Sequence, residues 1–401
     1  MSKTTLNGPS RAEAKRMKRM EKKRRQRRRG VVLFLCVISA VLLAFYFYPS
    51  YVEGVWFLHR EPVAGETDSA NPAHVADEKP LSPEEEERLS IVSQLSQRPN
   101  EMGKVPIIMY HAISEPESDW VRTPENFKKD LERFYKLGYT LVPFQSYLSG
   151  EIDLPRGTSP LILTFDDSTL SQFRLIDGDY QGILGKEFLP QGKMPDPRCA
   201  VGILLEFSEK HPDFGCAATF FADFPAPFDV PEEVEQKLNF LLACGMEIGN
   251  HTYNHKDLRE SSPEVVQMEI GKQSNEIFNL TGVKPLSLAL PYGNYPRIDE
   301  AKKYLAKGEF EGIEYENKGI LLVGAEAALS PYHKFLDPLA LPRIRGSEEE
   351  ITKWLKYLDT SKTRYISDGS VHTLSCPEEE LDNIAADLPN LYELVIIPTE
   401  P

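Results

Sequence analysis

The chain has 401 residues, of which 41% are hydrophobic and 27% charged, so it suits one sizeable globular domain with appendages and not a fibrous or largely disordered protein. Its formal net charge of −15 is unevenly distributed. Residues 1–30 contain thirteen Lys or Arg against two Glu, a balance of +11, so the remaining residues together carry −26. Because an acidic body repels phosphates, the basic arm does not indicate a nucleic-acid partner.

An uncharged apolar run at 31–48 follows the basic arm directly. As a helix it would extend about 27 Å, close to the thickness of a bilayer core. Aromatic residues continue to Phe57 as an interfacial belt, and the Lys and Arg residues on the N-terminal side predict a cytoplasmic N-terminus. We therefore expect a single-pass cell-membrane protein with a basic cytoplasmic arm (1–30), a transmembrane anchor (31–57) and an extracytoplasmic body. A cleaved secretory signal is the alternative, and it would also export the body.

Composition divides the rest of the chain into a stalk rich in Pro, Glu, Ser and Ala (58–104), a globular domain (105–358) and a C-terminal extension (359–401). In the globular domain, short apolar runs alternate with helical patterns. This alternation predicts an α/β fold, a distorted (β/α) barrel of about seven strands. The strand candidates are 106–113, 139–143, 161–165, 217–222, 246–249, 285–290, 319–324 and a shorter piece at 339–344; the helix candidates are 124–137, 231–244, 263–280 and 348–358.

Two adjacent carboxylates, Asp166 and Asp167, follow the apolar run at 161–165. Neighbouring strand residues point to opposite sides, and the active sites of α/β barrels gather at the carboxyl ends of the strands. One carboxylate can therefore bind a metal ion while the other faces its water. The spacing does not choose between them, and a turn or helix N-cap is the structural alternative.

His251 and His255 stand four residues apart, just beyond the strand candidate at 246–249. One helical turn would put both rings on one face, although such a pair alone is more often a chance spacing than a metal site. Together with an Asp, two His form an open site that leaves a coordination position for water. We therefore expect a divalent metal, with Zn²⁺ as the first choice and Co²⁺ as another.

A stiff turn, Pro291, Tyr292 and Gly293, ends the strand candidate at 285–290. Such a turn is usually structural by itself. Beside a metal site, however, its backbone N–H could stabilise a developing oxyanion.

The motifs TFDD, HTYNH and LPYG, in this order, resemble the polysaccharide deacetylase or NodB-homology family, carbohydrate esterase family 4. The resemblance covers roughly residues 105–358 and includes PIIMYHAI and AATFFAD. Family members typically remove N-acetyl groups from N-acetylglucosamine units, and some remove O-acetyl groups from other glycans. The resemblance implies Asp166 as the general base, Asp167, His251 and His255 as metal ligands, Tyr292 as an oxyanion donor through its backbone, and Pro291 with Tyr292 at the substrate.

The chain departs from the family pattern at the residue that usually orients the catalytic Asp. Ala289 stands where many members have an Arg. Arg343 or Arg345 is a candidate replacement, because both lie near a predicted strand end.

A second departure concerns the general acid. A late Leu-x-His motif supplies it in many relatives, and His372 is a poor match to that motif. We favour His111, since a subset of the family has an active-site histidine in the first strand. A hydrogen-bonded strand-end histidine is the structural alternative. The segment 168–215 is longer than usual, and Ser168 replaces the common Gly. The segment could line a substrate groove or only pack over the barrel, and the sequence does not choose between these roles.

The sequence thus predicts a metal-dependent hydrolase that deacetylates a cell-wall or extracellular polysaccharide, most simply at N-acetylglucosamine units. A non-catalytic glycan-binding scaffold with the same fold and an O-acetyl esterase are the alternatives. Four cysteines of the body show no metal-site spacing, so buried thiols are favoured over a disulfide framework. These cysteines are Cys199, Cys216, Cys244 and Cys376. The oligomeric state is not predicted.

Overall fold

The computed structural model describes residues 98–324, 326–388 and 391–398, which belong to one unit of contacts, Lys79–Pro401. The basic arm and the anchor predicted from the sequence, and the stalk up to residue 97, lie outside the described residues. Within the described ranges, no helix has both the length and the apolar character needed to cross a bilayer.

Strands and helices alternate along the described chain, which confirms the α/β class. In chain order the strands are β1 (Ile107–Tyr110), β2 (Ala112–Ile113), β3 (Val121–Arg122), β4 (Tyr139–Leu141), β5 (Ser159–Phe165), β6 (Leu175–Asp177), β7 (Lys193–Pro195), β8 (Thr219–Ala222), β9 (Glu247–Asn250), β10 (Ser287–Ala289), β11 (Lys307–Phe310), β12 (Ile313–Glu316), β13 (Gly319–Leu321), β14 (Ile344–Arg345), β15 (Thr373–Pro377) and β16 (Glu393–Ile397). The α-helices are α1 (Pro124–Lys136), α2 (Phe144–Ser149), α3 (Ala200–Lys210), α4 (Val234–Ala243), α5 (Pro263–Thr281), α6 (Asp299–Ala306) and α7 (Glu348–Thr360).

A parallel sheet of eight strands forms the centre of the described unit, in the order β13, β10, β9, β8, β5, β1, β14, with β4 beside the first half of β5. Leu341 pairs with Leu321 of β13, and Ile344 pairs with Ile108 of β1, so the segment 341–345 links the two edge strands. The sheet therefore curls into a distorted barrel, as the sequence predicts. Each of the eight predicted strand segments overlaps one of its strands, so the expected number of about seven is one too low.

Successive side chains of the barrel strands enter two different apolar clusters. Ile162 and Phe221 belong to one cluster, whereas Leu161 and Leu163 belong to another that includes Phe127 of α1. This alternation follows from the two-residue period of a strand. Both faces of the sheet are thus buried, which is typical of parallel strands covered by helices and explains their nearly continuous apolar sequences.

The predicted start of α1 is confirmed. The Thr123 hydroxyl accepts a hydrogen bond from the Asn126 N–H at 3.2 Å, and Pro124 occupies the first turn. After the helix, Gly138 has a φ of 76°, a left-handed conformation that favours glycine. The chain then enters β4 directly, so this cap sets where the next strand begins.

The segment 168–215 contains a hairpin, β6 with β7, and helix α3. Five of the eleven α3 residues are buried in the same cluster as Phe127, so the segment packs against the barrel. Neither element was predicted, because two short strands and a helix capped by Cys199 offer weak local signals. The four described cysteines are free, and Cys216 alone among them is not fully buried.

Residues beyond 358 also contact the barrel. The Arg364 guanidinium lies 4.0 Å above the Tyr139 ring and donates to the Ser159 hydroxyl at 2.7 Å, while Tyr365 is fully buried. Strands β15 and β16 form a separate parallel pair. Part of the predicted C-terminal extension therefore contributes to the core of the described unit.

Candidate metal and catalytic site

The two carboxylates that follow β5 have different surroundings. Asp166 is buried and accepts two hydrogen bonds from Arg343, at 2.7 and 2.6 Å. Asp167 has a left-handed φ of 70°, which turns its side chain toward His251 and His255. Its Oδ1 lies 3.2 Å from the Nε2 atom of each ring. The chain thus separates a carboxylate that is paired with a cation from one that faces two imidazoles.

One oxygen of Asp167 and one nitrogen each of His251 and His255 all lie within 4.8 Å of one another. The Nδ1 of His251 lies 2.8 Å from the Ala289 carbonyl, which can only accept, so Nδ1 carries a proton. In the neutral ring, the Nε2 lone pair then faces the Asp167 carboxylate. Two lone pairs at this distance need a cation between them, and one carboxylate with two imidazoles is a donor set suited to Zn²⁺ or a similar divalent ion.

Electrostatics at His251 and Asp167 agree with that requirement. Burial by itself would lower the pKa of His251, but the adjacent Asp167 and Asp166 carboxylates raise it above its ordinary value. Burial by itself would raise the pKa of Asp167, but the two imidazoles hold it far below its usual range. The site therefore holds an ionised carboxylate and favours positive charge beside it.

The two histidines are not on a helix, contrary to the simplest expectation from their spacing. They lie in a loop after β9, in which Thr252 and His255 have left-handed φ values of 60° and 49°. The Thr252 hydroxyl accepts a hydrogen bond from the Lys256 N–H at 2.9 Å, and Asn254 is held by Glu269 of α5. These bonds fix a tight loop in which the centroids of the two imidazole rings lie 4.9 Å apart. One helical turn would also have brought the two rings together.

Of the two candidate replacements for the missing motif Arg, it is Arg343 that reaches Asp166. Its side chain is fully buried, and its Nε donates to the Leu322 carbonyl at 2.8 Å. Burial by itself would raise the pKa of Asp166, but Arg343 and His251 lower it below its ordinary value. Asp166 is therefore held ionised and oriented, while Arg345 lies elsewhere, over the ring of Trp120.

His111, directly after β1, is close enough to both carboxylates for them to affect its pKa. Burial holds the pKa of His111 below its ordinary value, although Asp166 and Asp167 act in the opposite direction. The side-chain amide of the buried Gln172 donates to the backbone carbonyls of His111 and Asp166, which ties the two strand ends together. Gln172 was not identified from the sequence, where no motif marks it. His372 is exposed beside β15, and none of its recorded contacts involves a site residue.

The turn after β10 places Tyr292 beside the metal-ligand candidates. Tyr292 has a left-handed φ of 59°, and its ring lies 5.1 Å from the His255 ring with 63% of the residue exposed. Pro291 is buried beneath the turn. At Gly293, a Cβ atom would lie 2.9 Å from the Val323 nitrogen, so the close approach of these two backbones requires glycine.

Ser168 joins the Asp167 loop to the end of β8. Its φ of 37° is left-handed, so two strained residues stand in succession after Asp166. Its hydroxyl donates to an Asp223 carboxylate oxygen at 2.6 Å and accepts from the Asp223 N–H at 3.2 Å. Its carbonyl accepts from the Phe228 N–H at 2.6 Å. These bonds fix the direction of Asp167, a role that the sequence alone did not reveal.

Comparisons with known proteins bear on the family resemblance of the chain. Residues 212–308 match the family model described as polysaccharide deacetylase. The sequence is 23% identical over 195 residues to YxkH of Bacillus subtilis (strain 168), a candidate polysaccharide deacetylase, covering 48% of this chain and 58% of that protein. The family resemblance predicted from the sequence is confirmed. The chain thus spans less than two thirds of the length of this polysaccharide deacetylase relative.

Two solved structures of deacetylases are also similar to the chain. The Streptococcus pyogenes deacetylase PplD, in complex with acetate, has 20% identity and a TM-score of 0.43, with 65% of this chain and 98% of that one covered. A polysaccharide deacetylase from Bacillus cereus has 20% identity and a TM-score of 0.42, with 60% of this chain and 64% of that one covered.

Proposed function

We propose that the protein is a metal-dependent hydrolase that removes acetyl groups from a polysaccharide, most simply from N-acetylglucosamine units. The observation that carries this proposal is the meeting of Asp167, His251 and His255 beside the separately paired carboxylate of Asp166. The match of residues 212–308, which include His251 and His255, to the polysaccharide deacetylase family model supports the proposal. An ionised general base next to an open three-ligand metal site provides the groups that metal-dependent hydrolysis of an amide or ester requires.

Asp167, His251 and His255 would hold the divalent ion. When bound, that ion supplies Lewis acidity toward the acetyl carbonyl and an activated water. Asp166, held by both arms of Arg343, accepts the proton of the attacking water. The backbone N–H of Tyr292 donates to the oxygen of the acetyl carbonyl as negative charge develops there. His111 then gives a proton to the departing amine nitrogen.

A non-catalytic scaffold was an alternative because Ala289 replaces the usual orienting Arg. Arg343 now provides a bidentate partner for Asp166 from another part of the chain, at 2.7 and 2.6 Å. The Asp166 carboxylate therefore does not lack support, which removes one of the two reasons for the scaffold alternative; the other is the lack of a clear late histidine motif. Because ester and amide hydrolysis use the same groups, the O-acetyl esterase alternative needs a direct comparison.

We also propose that the catalytic domain faces the outside of the cell, tethered through residues 31–57. The basic arm before an uncharged apolar run of 18 residues supports this topology. A polysaccharide of the wall or the extracellular matrix would then be within reach. Protease treatment of intact cells should digest the domain, and a domain digested only after lysis would contradict the proposal.

The full chain, stripped of metal and reloaded with Zn²⁺ or Co²⁺, tests the reaction. Acetate release should be measured from N-acetylated chitooligosaccharides and from an O-acetylated glycan of similar length. We expect metal-dependent release from the N-acetylated substrate, with Asp166→Asn as the inactive control. Release from the O-acetylated glycan alone would assign the esterase activity. Binding of the oligosaccharide without acetate release under any metal would favour the scaffold.

A further inference from the structure

Trp120 is an exposed aromatic residue that contacts the site without belonging to the metal or base positions. Its ring centroid lies 4.8 Å from that of His111, in an edge-to-face arrangement, and 43% of the residue is exposed. The guanidinium carbon of Arg345 lies 4.4 Å from the centroid of the same ring. The Trp120 ring thus packs against His111 and Arg345, and part of its surface remains open to solvent next to the proposed proton donor.

The loop that carries Trp120 is firmly held. The Trp120 carbonyl accepts a hydrogen bond from the Ala112 N–H at 3.2 Å, and β2 pairs with β3. The next residue but one, Arg122, is buried and donates twice to Asp130 of α1, at 2.8 and 2.6 Å. It also contacts Glu348 of α7 at 2.7 Å. A ring anchored in this way can bind a ligand with little loss of conformational entropy.

A second exposed aromatic residue contacts a different member of the site. Tyr292 is 63% exposed, and its ring lies against His255. The candidate catalytic residues are therefore bordered by two open aromatic side chains, one beside the proton donor and one beside a metal-ligand candidate. Aromatic surfaces with a few well-placed polar groups are typical of binding sites for small organic groups.

We propose that Trp120 binds a pyranose ring of the substrate by stacking, as part of a subsite next to the sugar that carries the acetyl group. This inference rests on the proposed function. The C–H faces of a pyranose are apolar and match the open face of an aromatic ring. Trp120 then favours acetyl groups carried by a glycan over those of small acetyl compounds, which have no sugar ring to stack on Trp120.

The test compares Trp120→Ala with Trp120→Phe in the full, metal-loaded chain. Acetate release from an N-acetylated chitooligosaccharide is measured beside hydrolysis of para-nitrophenyl acetate, which has no sugar. Trp120→Ala should raise KM for the oligosaccharide about ten-fold with kcat nearly unchanged, because it removes binding that ground and transition states share. Hydrolysis of para-nitrophenyl acetate should not change, and Trp120→Phe should restore most of the affinity. Phe335→Ala, at an exposed ring outside the site, is the matched control.

Two results would overturn the assignment. An unchanged KM for the oligosaccharide would do so, as would a fall in kcat for the oligosaccharide with no rise in its KM, which would mean that Trp120 acts only through His111. If the wild type releases no acetate from any glycan, the proposed function fails separately. Oligosaccharide binding is then measured with Asp166→Asn alone and combined with Trp120→Ala. Equal affinities, or no binding by either, would reject the subsite, whereas an affinity about ten-fold lower in the double variant would support it.

Discussion

Arg343, directly before β14, and Asp166, directly after β5, form a fully buried, bidentate ion pair. The two Nη atoms donate to the two carboxylate oxygens at 2.7 and 2.6 Å, and Nη1 also donates to the Thr164 hydroxyl at 3.1 Å. A planar guanidinium fixes both the position and the rotation of a carboxylate, which a lysine cannot do. The pair therefore explains how the chain can orient its base although Ala289 replaces the usual arginine.

Arg343→Lys should keep the positive charge and lose the bidentate hydrogen bonds to Asp166. We expect kcat to fall by roughly one to two orders of magnitude, because a misdirected base loses most of its advantage. Metal content, measured by elemental analysis, should stay near that of the wild type. Arg364→Lys changes another buried arginine, at Ser159 and Tyr139, and serves as the control for general destabilisation. A wild-type kcat in Arg343→Lys would refute the positioning role.

The two carboxylates after β5 should fail in different ways. Asp166→Asn should leave metal affinity nearly intact and lower turnover by roughly two to four orders of magnitude, the usual contribution of a positioned general base. Asp167→Asn should weaken metal binding first, since its oxygen lies 3.2 Å from both imidazoles. Titration with Zn²⁺ and single-turnover kinetics separate the two effects. Equal loss of metal in both variants would contradict this division.

The two histidines should both be needed for the metal but should differ in their effect on folding. His251→Ala and His255→Ala are each expected to lower Zn²⁺ affinity by at least about 100-fold, more than is usual for residues that only support a ligand. His251 is buried and bonded to Ala289, whereas the His255 side chain is 30% exposed, so His251→Ala should also lower the thermal unfolding temperature. Metal retained at wild-type level in either variant would exclude that residue from the site.

His111 and His372 can be distinguished by the leaving group. His111→Ala should lower kcat roughly 100-fold for an N-acetyl substrate, whose amine must be protonated as it departs. The loss should be much smaller with para-nitrophenyl acetate, which has a leaving group that departs without a proton. His372→Ala, at an exposed residue beside β15, should leave both rates unchanged. The reverse pattern would return the role to the late histidine.

Much of the sheet could be predicted because most of its parallel strands are short apolar runs, and several of them, such as β5, end in polar residues. Asp166 and Asp167 follow such a run, and their neighbourhood with His251 follows from the shared edge of the sheet. Arg343 could be predicted only as one of two candidates, since its contact with Asp166 depends on how the segment 341–345 links the edge strands. Local sequence does not contain that closure.

Other features of the site depend on backbone conformations that sequence patterns rarely reveal. Asp167, Ser168, Thr252 and His255 all adopt left-handed φ values, although none is glycine. Long-range hydrogen bonds, such as those between Ser168 and Asp223, hold these residues in place. A helix-based explanation of the two histidines was therefore wrong, even though the contact between them follows from either geometry.

The pKa of the buried Glu101 carboxyl group predicts how the free energy of unfolding depends on pH. Its buried carboxylate accepts hydrogen bonds from the Ser375 N–H at 2.8 Å and from the Tyr365 hydroxyl and Asp368 N–H at 3.3 Å, and so joins the start of the described chain to β15. Burial raises the pKa of Glu101 to about 7, with a further contribution from Asp368 and partial opposition from the Ser375 bond. The folded protein therefore keeps a proton between pH 4.5 and about 7 that the unfolded chain has released.

Because the folded state binds more protons in this window, the free energy of unfolding should fall as pH rises from about 5 to about 8, by at most ~3 kcal/mol from this residue. Glu101→Gln resembles the protonated form and should show a flatter response, measured by urea unfolding at several pH values. Glu316→Gln, at an exposed site, controls for the change in net charge. If Glu101→Gln and the wild type lose stability in parallel over this range, the carboxyl group of Glu101 is not the titrating group. A flat response in Glu101→Gln alone would identify the junction between the start of the described chain and β15 as the pH-sensitive part of the domain.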